Sequence, residues 1–164
     1  MRNWLSQLFN KNHGKIFLVE DYFVIAEEIN DYVASVAYKI CLGSKRVVVG
    51  RCDLRIGMNE ELYYAGNIGY SIKKKYRGNG YAYDAAKLLL GIAKGNYMME
   101  EVLITCDPDN VASRKTCERL NGKLEAIVDV PESHWLIKQK EYKKCIFRYS
   151  LKGEQDEKNF KCIN

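Results

Sequence analysis

Two glycines set two residues apart, Gly78 and Gly80, stand directly between a strand-patterned run and the most regular helical pattern in the chain. Upstream, Ile68, Tyr70 and Ile72 alternate with Gly69 and Ser71, the period of a strand whose two faces differ. Downstream, Ala82, Ala85, Ala86, Leu89 and Ala93 recur at helical spacing, Lys94 closes the last turn, and Gly95 is placed to end it. A helix start exposes unpaired N–H groups and a partial positive charge, and glycine lets an anion reach the backbone without meeting a Cβ. Gly69–Ala82 therefore reads as a phosphate-holding junction, or more plainly as a tight turn from strand to helix. It is neither the G-x-x-x-x-G-K-[ST] loop of nucleotide hydrolases nor the G-x-G-x-x-G dinucleotide fingerprint, since no third glycine and no acidic ribose partner follow.

The rest of the chain supplies the sheet that such a junction needs. Its 164 residues predict one compact domain over residues 1–151, with Lys152–Asn164, charged and poor in apolar residues, as a frayed tail. Lys15–Glu20, Tyr32–Leu42 and Arg46–Ile56 are strand-like, the last two joined by a Gly43-Ser44 turn, while Tyr22–Asn30 fits a strand or a helix. Tyr63–Ile72 is expected to be one strand. Val102–Cys106, apolar between Glu101 and Asp107-Pro108, reads as a buried central strand. A second helix starts at Asp109 or Asn110 and stops at Asn121-Gly122, followed by strands Lys123–Val130 and Cys145–Leu151 around a polar loop, Pro131–Lys144. That order predicts a mixed α+β fold, a three-layer α/β arrangement with helices on the faces of the sheet.

Composition narrows the function classes. The net charge of +5 is small and scattered, which suits an anionic ligand and does not announce a nucleic-acid partner. The six cysteines form no C-x-x-C pair, so zinc-finger and redox motifs lack support, no metal is expected, and reduced buried thiols are the reading. No apolar run reaches membrane-spanning length, and Met1–Lys11 lacks the apolar centre of a signal peptide, so a cytoplasmic protein without a membrane partner is expected.

Arg77-Gly78-Asn79-Gly80-Tyr81-Ala82 matches the R/Q-x-x-G-x-G/A signature of the GNAT superfamily of acyl-CoA-dependent N-acyltransferases. Asp107–Ser113, opening the next helix, resembles that family's second cofactor motif, and Tyr63–Tyr70 with His134-Trp135 and Arg148-Tyr149 resembles a bacterial-type subgroup. The resemblance implies a splayed central strand pair in a mostly antiparallel sheet. It implies acetyl-CoA as co-substrate, its pantetheine arm paired along Tyr70, Ser71 and Ile72, its pyrophosphate against Arg77, Gly78, Asn79, Gly80, Tyr81 and Ala82, and Asn110 and Ser113 as further contacts. It implies transfer of acetyl to a primary amine of a small molecule or protein by direct attack, and it allows a homodimer.

Such a reaction needs a neutral amine, although only about one lysine-like amine in a thousand is neutral at pH 7, as well as oxyanion stabilisation and a proton for the departing thiolate. The implied oxyanion donor is a backbone N–H near Ile72. Where many family members have a proton-donating tyrosine seven residues after the motif asparagine, this chain has Cys117, and Thr105 stands where some carry a glutamate base. No catalytic residue is assigned from the sequence. Glu125, Asp107 and His134 are candidate bases, His134 favoured by its place beside Trp135. These departures recommend a rival reading, a degenerate acyl-CoA-binding sensor or scaffold; a second rival, of another class, is an RNA-binding module using Lys73–Arg77 and exposed tyrosines.

Overall fold

A computed structural model of the chain describes residues 16–27, 32–43 and 47–152. Among these are seven strands and three α-helices: β1 (Ile16–Val24), β2 (Ser35–Leu42), β3 (Val47–Arg55), α1 (Glu60–Ala65), β4 (Ile68–Ile72), α2 (Tyr81–Tyr97), β5 (Glu101–Cys106), α3 (Val111–Arg119), β6 (Lys123–Asp129) and β7 (Lys143–Ser150). They form two antiparallel sheets, one in the order β1-β2-β3-β4 and the other β5-β7-β6. Helices α2 and α3 pack together on one face, and α1 packs against β5 and β7. This is the α+β architecture expected, with helices few and sheets antiparallel.

The two sheets meet at one buried side chain. Asn67 is fully buried; its N–H donates to Leu103 O at 2.7 Å and its Oδ1 accepts from Leu103 N–H at 2.8 Å. Its amide also donates to Arg55 O (3.1 Å) and Gly57 O (2.7 Å). Asn67 thereby fastens β3, β4 and β5 at one end, while β4 and β5 belong to separate sheets. The core beneath is continuous across the junction: Val36, Ile40, Leu54 and Ile68 from one sheet and Val102, Ile104 and Phe147 from the other meet Ala85, Ala86 and Leu89 of α2. Small residues on that helix face let it lie close to the strands.

Several expectations change in detail. Tyr63–Ile72 is not one strand: Asn59 caps α1 by accepting Leu62 N–H at 2.9 Å, Glu60 and Glu61 favour its first turn, and β4 starts only at Ile68. Helix α2 passes Gly95 and ends with Met98 in the left-handed region, φ 51°. The loop 131–144 contains a 3₁₀ turn, Trp135–Gln139. The ambiguous Tyr22–Asn30 begins as strand through Val24, with Glu27 bridging Tyr32. Gly43 turns at φ +66°. Ser44, Met1–Lys11, Cys162 and the tail beyond Lys152 lie outside the described residues. No described helix is long and apolar enough to cross a membrane.

Candidate functional site

Beyond Asn67 the free edge of β4 faces a cleft. The Lys73 N–H donates to Val49 O at 2.9 Å, and Gly69 and Ser71 pair with Asp53 and Arg51 of β3. Backbone groups alternate sides along a strand, so the main-chain groups of Tyr70 and Ile72 point the other way, into the gap. The Ile72 carbonyl is taken by Arg77 Nε at 3.0 Å. A strand edge with open donors and acceptors is suited to pair an extended, amide-bearing molecule.

The cleft, about 620 Å³, is lined by every one of the eleven residues singled out from the sequence: Tyr70, Ser71, Ile72, Arg77, Gly78, Asn79, Gly80, Tyr81, Ala82, Asn110 and Ser113. Gly78 and Gly80 adopt φ of +80° and +77°, a conformation that strains any residue with a Cβ. Gly80 is the N-cap of α2 and provides no side-chain cap, whereas Asn110 caps α3 by accepting Ser113 N–H at 3.1 Å. The seventeen-residue helix α2 thus directs its positive end at the cleft. Lys115 and Arg119 join Arg77 along the wall, and among the described residues no acidic side chain lines it; Arg119 lies 4.1 Å over the Tyr83 ring. Lys73, Lys74 and Lys75 are exposed and outside the lining.

The structure brings together a hydroxyl pair that the sequence did not single out for chemistry. Tyr70 Oη lies 2.8 Å from Ser113 Oγ, joining β4 to α3 across the splay. Both residues line the cleft and also a second hollow, about 530 Å³, formed with Arg55, Gly69, Thr105 and Trp135. Burial and the neighbouring Cys117 push the Tyr70 phenol above its ordinary value, so it stays protonated through the neutral range. Cys117 itself is fully buried, beneath Tyr149, whose hydroxyl donates to the Cys117 carbonyl at 2.9 Å. Its neighbour Cys106, hydrogen-bonded to it and buried, is held as a neutral thiol. The described cysteines are free and buried, and among the described residues no cluster could hold a metal ion.

The three candidate bases are dispersed. His134 is buried, its Nδ1 accepting Leu136 N–H at 3.2 Å while Nε2 lies 2.8 Å from Glu61 Oε2. An Nδ1 that accepts leaves the proton on Nε2, so His134 clamps the loop to α1. Glu125 sits on β6, paired with Arg148 of β7, whose guanidinium lowers its carboxyl pKa. Asp107 Oδ1 accepts Asp109 N–H at 2.7 Å and shapes the turn into α3. Thr105 donates to Tyr64 O at 2.8 Å.

Residues 10–123 match the family model described as Acetyltransferase (GNAT) domain. No curated protein sequence matches the chain. Among solved structures, a GNAT-family acetyltransferase from Bacillus anthracis superposes at TM-score 0.56 with 21% identity, over 70% of this chain and 65% of its own. The Microcin C7 self-immunity acetyltransferase MccE, solved with acetyl-CoA and AMP, gives 0.54 and 18% over 71% and 61%. A ribosomal-protein-S5-alanine acetyltransferase from Vibrio fischeri gives 0.56 and 13% over 71% and 61%. The chain therefore spans between 61% and 65% of the length of these neighbours, and at such identities they share its fold. With the motif cleft at the splay and the family model matched across most of the sequence, the chain belongs to the GNAT acetyltransferase family.

Proposed function

We propose that this protein is an N-acetyltransferase that moves an acetyl group from acetyl-CoA to a primary amine of a small molecule or protein. The observation that carries the reading is the cleft itself, where the uncapped start of α2, two left-handed glycines and the free edge of β4 line one surface. The residues fit the carrier: amides and cations suit a diphosphate, and the open main-chain groups of Tyr70 on the free edge of β4 suit an amide of a pantetheine arm. A neighbour of the same fold holding acetyl-CoA supports it.

The carrier supplies an activated acetyl carbon when bound. The chain's own residues do the rest. Gly78–Ala82 and Lys115 would hold the phosphates, and Asn110 and Ser113 would contact the carrier from the α3 side of the cleft. The Ile72 N–H, aimed into the gap, faces the developing oxyanion, where a fixed donor is worth most. The Tyr70 hydroxyl, hydrogen-bonded to Ser113 and standing between both hollows, donates the proton that the departing sulfur needs, the part Cys117 is too deeply buried to play. Holding two reactants side by side supplies a large share of the rate.

The test is release of CoA thiol with a panel of primary amines, alongside calorimetric binding of acetyl-CoA. Binding with amine-dependent thiol release supports the reading. Tight binding without release above background for any amine makes the protein a sensor, and absence of binding at millimolar acetyl-CoA removes the reading altogether.

A further inference from the structure

The face of β3 and β4 opposite α2 carries one carboxylate set directly over a glycine. Asp53 pairs with Gly69 across the β3–β4 ladder. Its Oδ1 lies so close over that glycine that a Cβ there would come within 2.6 Å of it. Arg55 Nη2 holds its other oxygen at 3.0 Å, while Arg55 Nη1 is itself pinned to the carbonyls of Ala65 (3.1 Å) and Gly66 (2.9 Å). The carboxylate is thus placed rigidly, yet a third of its side chain remains exposed, in a hollow of about 500 Å³ that it shares with Tyr22, Ser35 and Ser71. Arg55 also lines the hollow reaching Tyr70 and Ser113.

Resting on the acetyl-transfer reading, we infer that Asp53 receives the acceptor's ammonium group and takes its proton, so that the acceptor is a basic primary amine entering from the face opposite the carrier. One ammonium proton passes to Asp53 and then to water. The freed lone pair forms the C–N bond, the thioester C–S bond breaks, the second nitrogen proton passes to solvent, and Tyr70 gives its proton to sulfur and is reprotonated from solvent, so that one proton is released overall. The charged groups around Asp53 are Arg55 and Arg51 on its own strand, Lys39 on β2, and Asp21 on β1; Asp21 is itself bound to Lys39 at 2.5 Å and to Arg51 at 3.7 Å. Asp53 lines its hollow together with Tyr70 and Ser71 of β4, which puts it in the same cavity as the hydroxyl that serves the departing sulfur. Burial raises the Asp53 pKa against the opposing pull of Arg55, which makes it a better base than an ordinary aspartate.

The experiment is the pH dependence of kcat/KM for the best acceptor of the amine panel in the unaltered protein, Asp53→Asn and Gly69→Ala. Asp53→Asn is expected to lose roughly a hundredfold near pH 7 and to regain most of it by about pH 10, where the amine is neutral without help, with acetyl-CoA affinity unchanged. Gly69→Ala keeps the carboxyl group but displaces it, and is expected to show the same pH-dependent loss, which covers a failure of Asp53→Asn to fold. A loss equal at all pH values, or no loss in either variant, overturns the inference while leaving acetyl transfer standing. An unaltered protein that releases no thiol with any amine overturns acetyl transfer first and this inference with it.

Discussion

Gly80 combines a left-handed backbone with the N-cap of a long helix, so substitution there acts on geometry and charge at once. Gly80→Asp adds a Cβ in a strained conformation and an anion where a diphosphate is expected. Acetyl-CoA affinity is expected to fall at least a hundredfold, read by calorimetry on protein whose circular dichroism is unchanged. Tyr70→Phe removes one hydroxyl and keeps the ring in the core. It is expected to lower kcat roughly 100-fold, the lower end of the range for loss of a general acid, with the acetyl-CoA Kd nearly unchanged. Cys117→Ala, by contrast, is expected to leave kcat within a few-fold, because that side chain packs in the core and faces no solvent. A reversed pattern in thiol-release assays, Cys117 critical and Tyr70 dispensable, would assign the proton donor to Cys117 on α3 instead.

Among the elements, the junction of the two sheets depends on Asn67. Its side chain makes three hydrogen bonds to main-chain groups from a fully buried position, and truncation would leave those partners unsatisfied. Asn67→Ala is expected to cost about 4 kcal/mol, measured from urea unfolding midpoints; a cost below about 1 kcal/mol would show that the sheets hold together without it. Its role was hidden in the sequence, where an asparagine between Gly66 and Ile68 reads as part of a strand. The α1 helix was hidden for a related reason. Asn59-Glu60-Glu61 is a helix-start signal, but Tyr63 and Tyr64 look like strand residues, and six residues are too few to show a helical period. Helix α2 and strand β5 were legible because one has four turns of small inward residues and the other is apolar between acidic flanks.

For the molecule as a whole, the cofactor-side cleft could be anticipated because its parts are local: glycines before a helix, an asparagine at the next helix start. The opposite face could not be, since Asp53, Arg55 and Gly69 are joined only by strand pairing, and Tyr70 meets Ser113 only across the splay. The second sheet is cross-braced in a similarly long-range way by Arg148, which bonds Glu101 of β5 at 2.6 Å and also Glu125 of β6. Arg148 lowers the folded-state pKa of Glu125, so the stability this pair adds is present above the ordinary carboxylate range and lost as pH falls through the depressed value. Arg148→Met is therefore expected to be less stable than the unaltered protein near neutrality, by a small margin given the partial exposure. The difference in melting temperature is expected to shrink toward about pH 3.

Acetyl transfer by this chain stands or falls with the position of the carrier, which a crystal structure with bound CoA reveals. The diphosphate is expected against the amides of Gly78–Ala82, with the arm running along the free edge of β4 toward Tyr70. A diphosphate held on Lys73–Lys75 or on the Asp53 face, with the α2 N-terminus left to solvent, would contradict it.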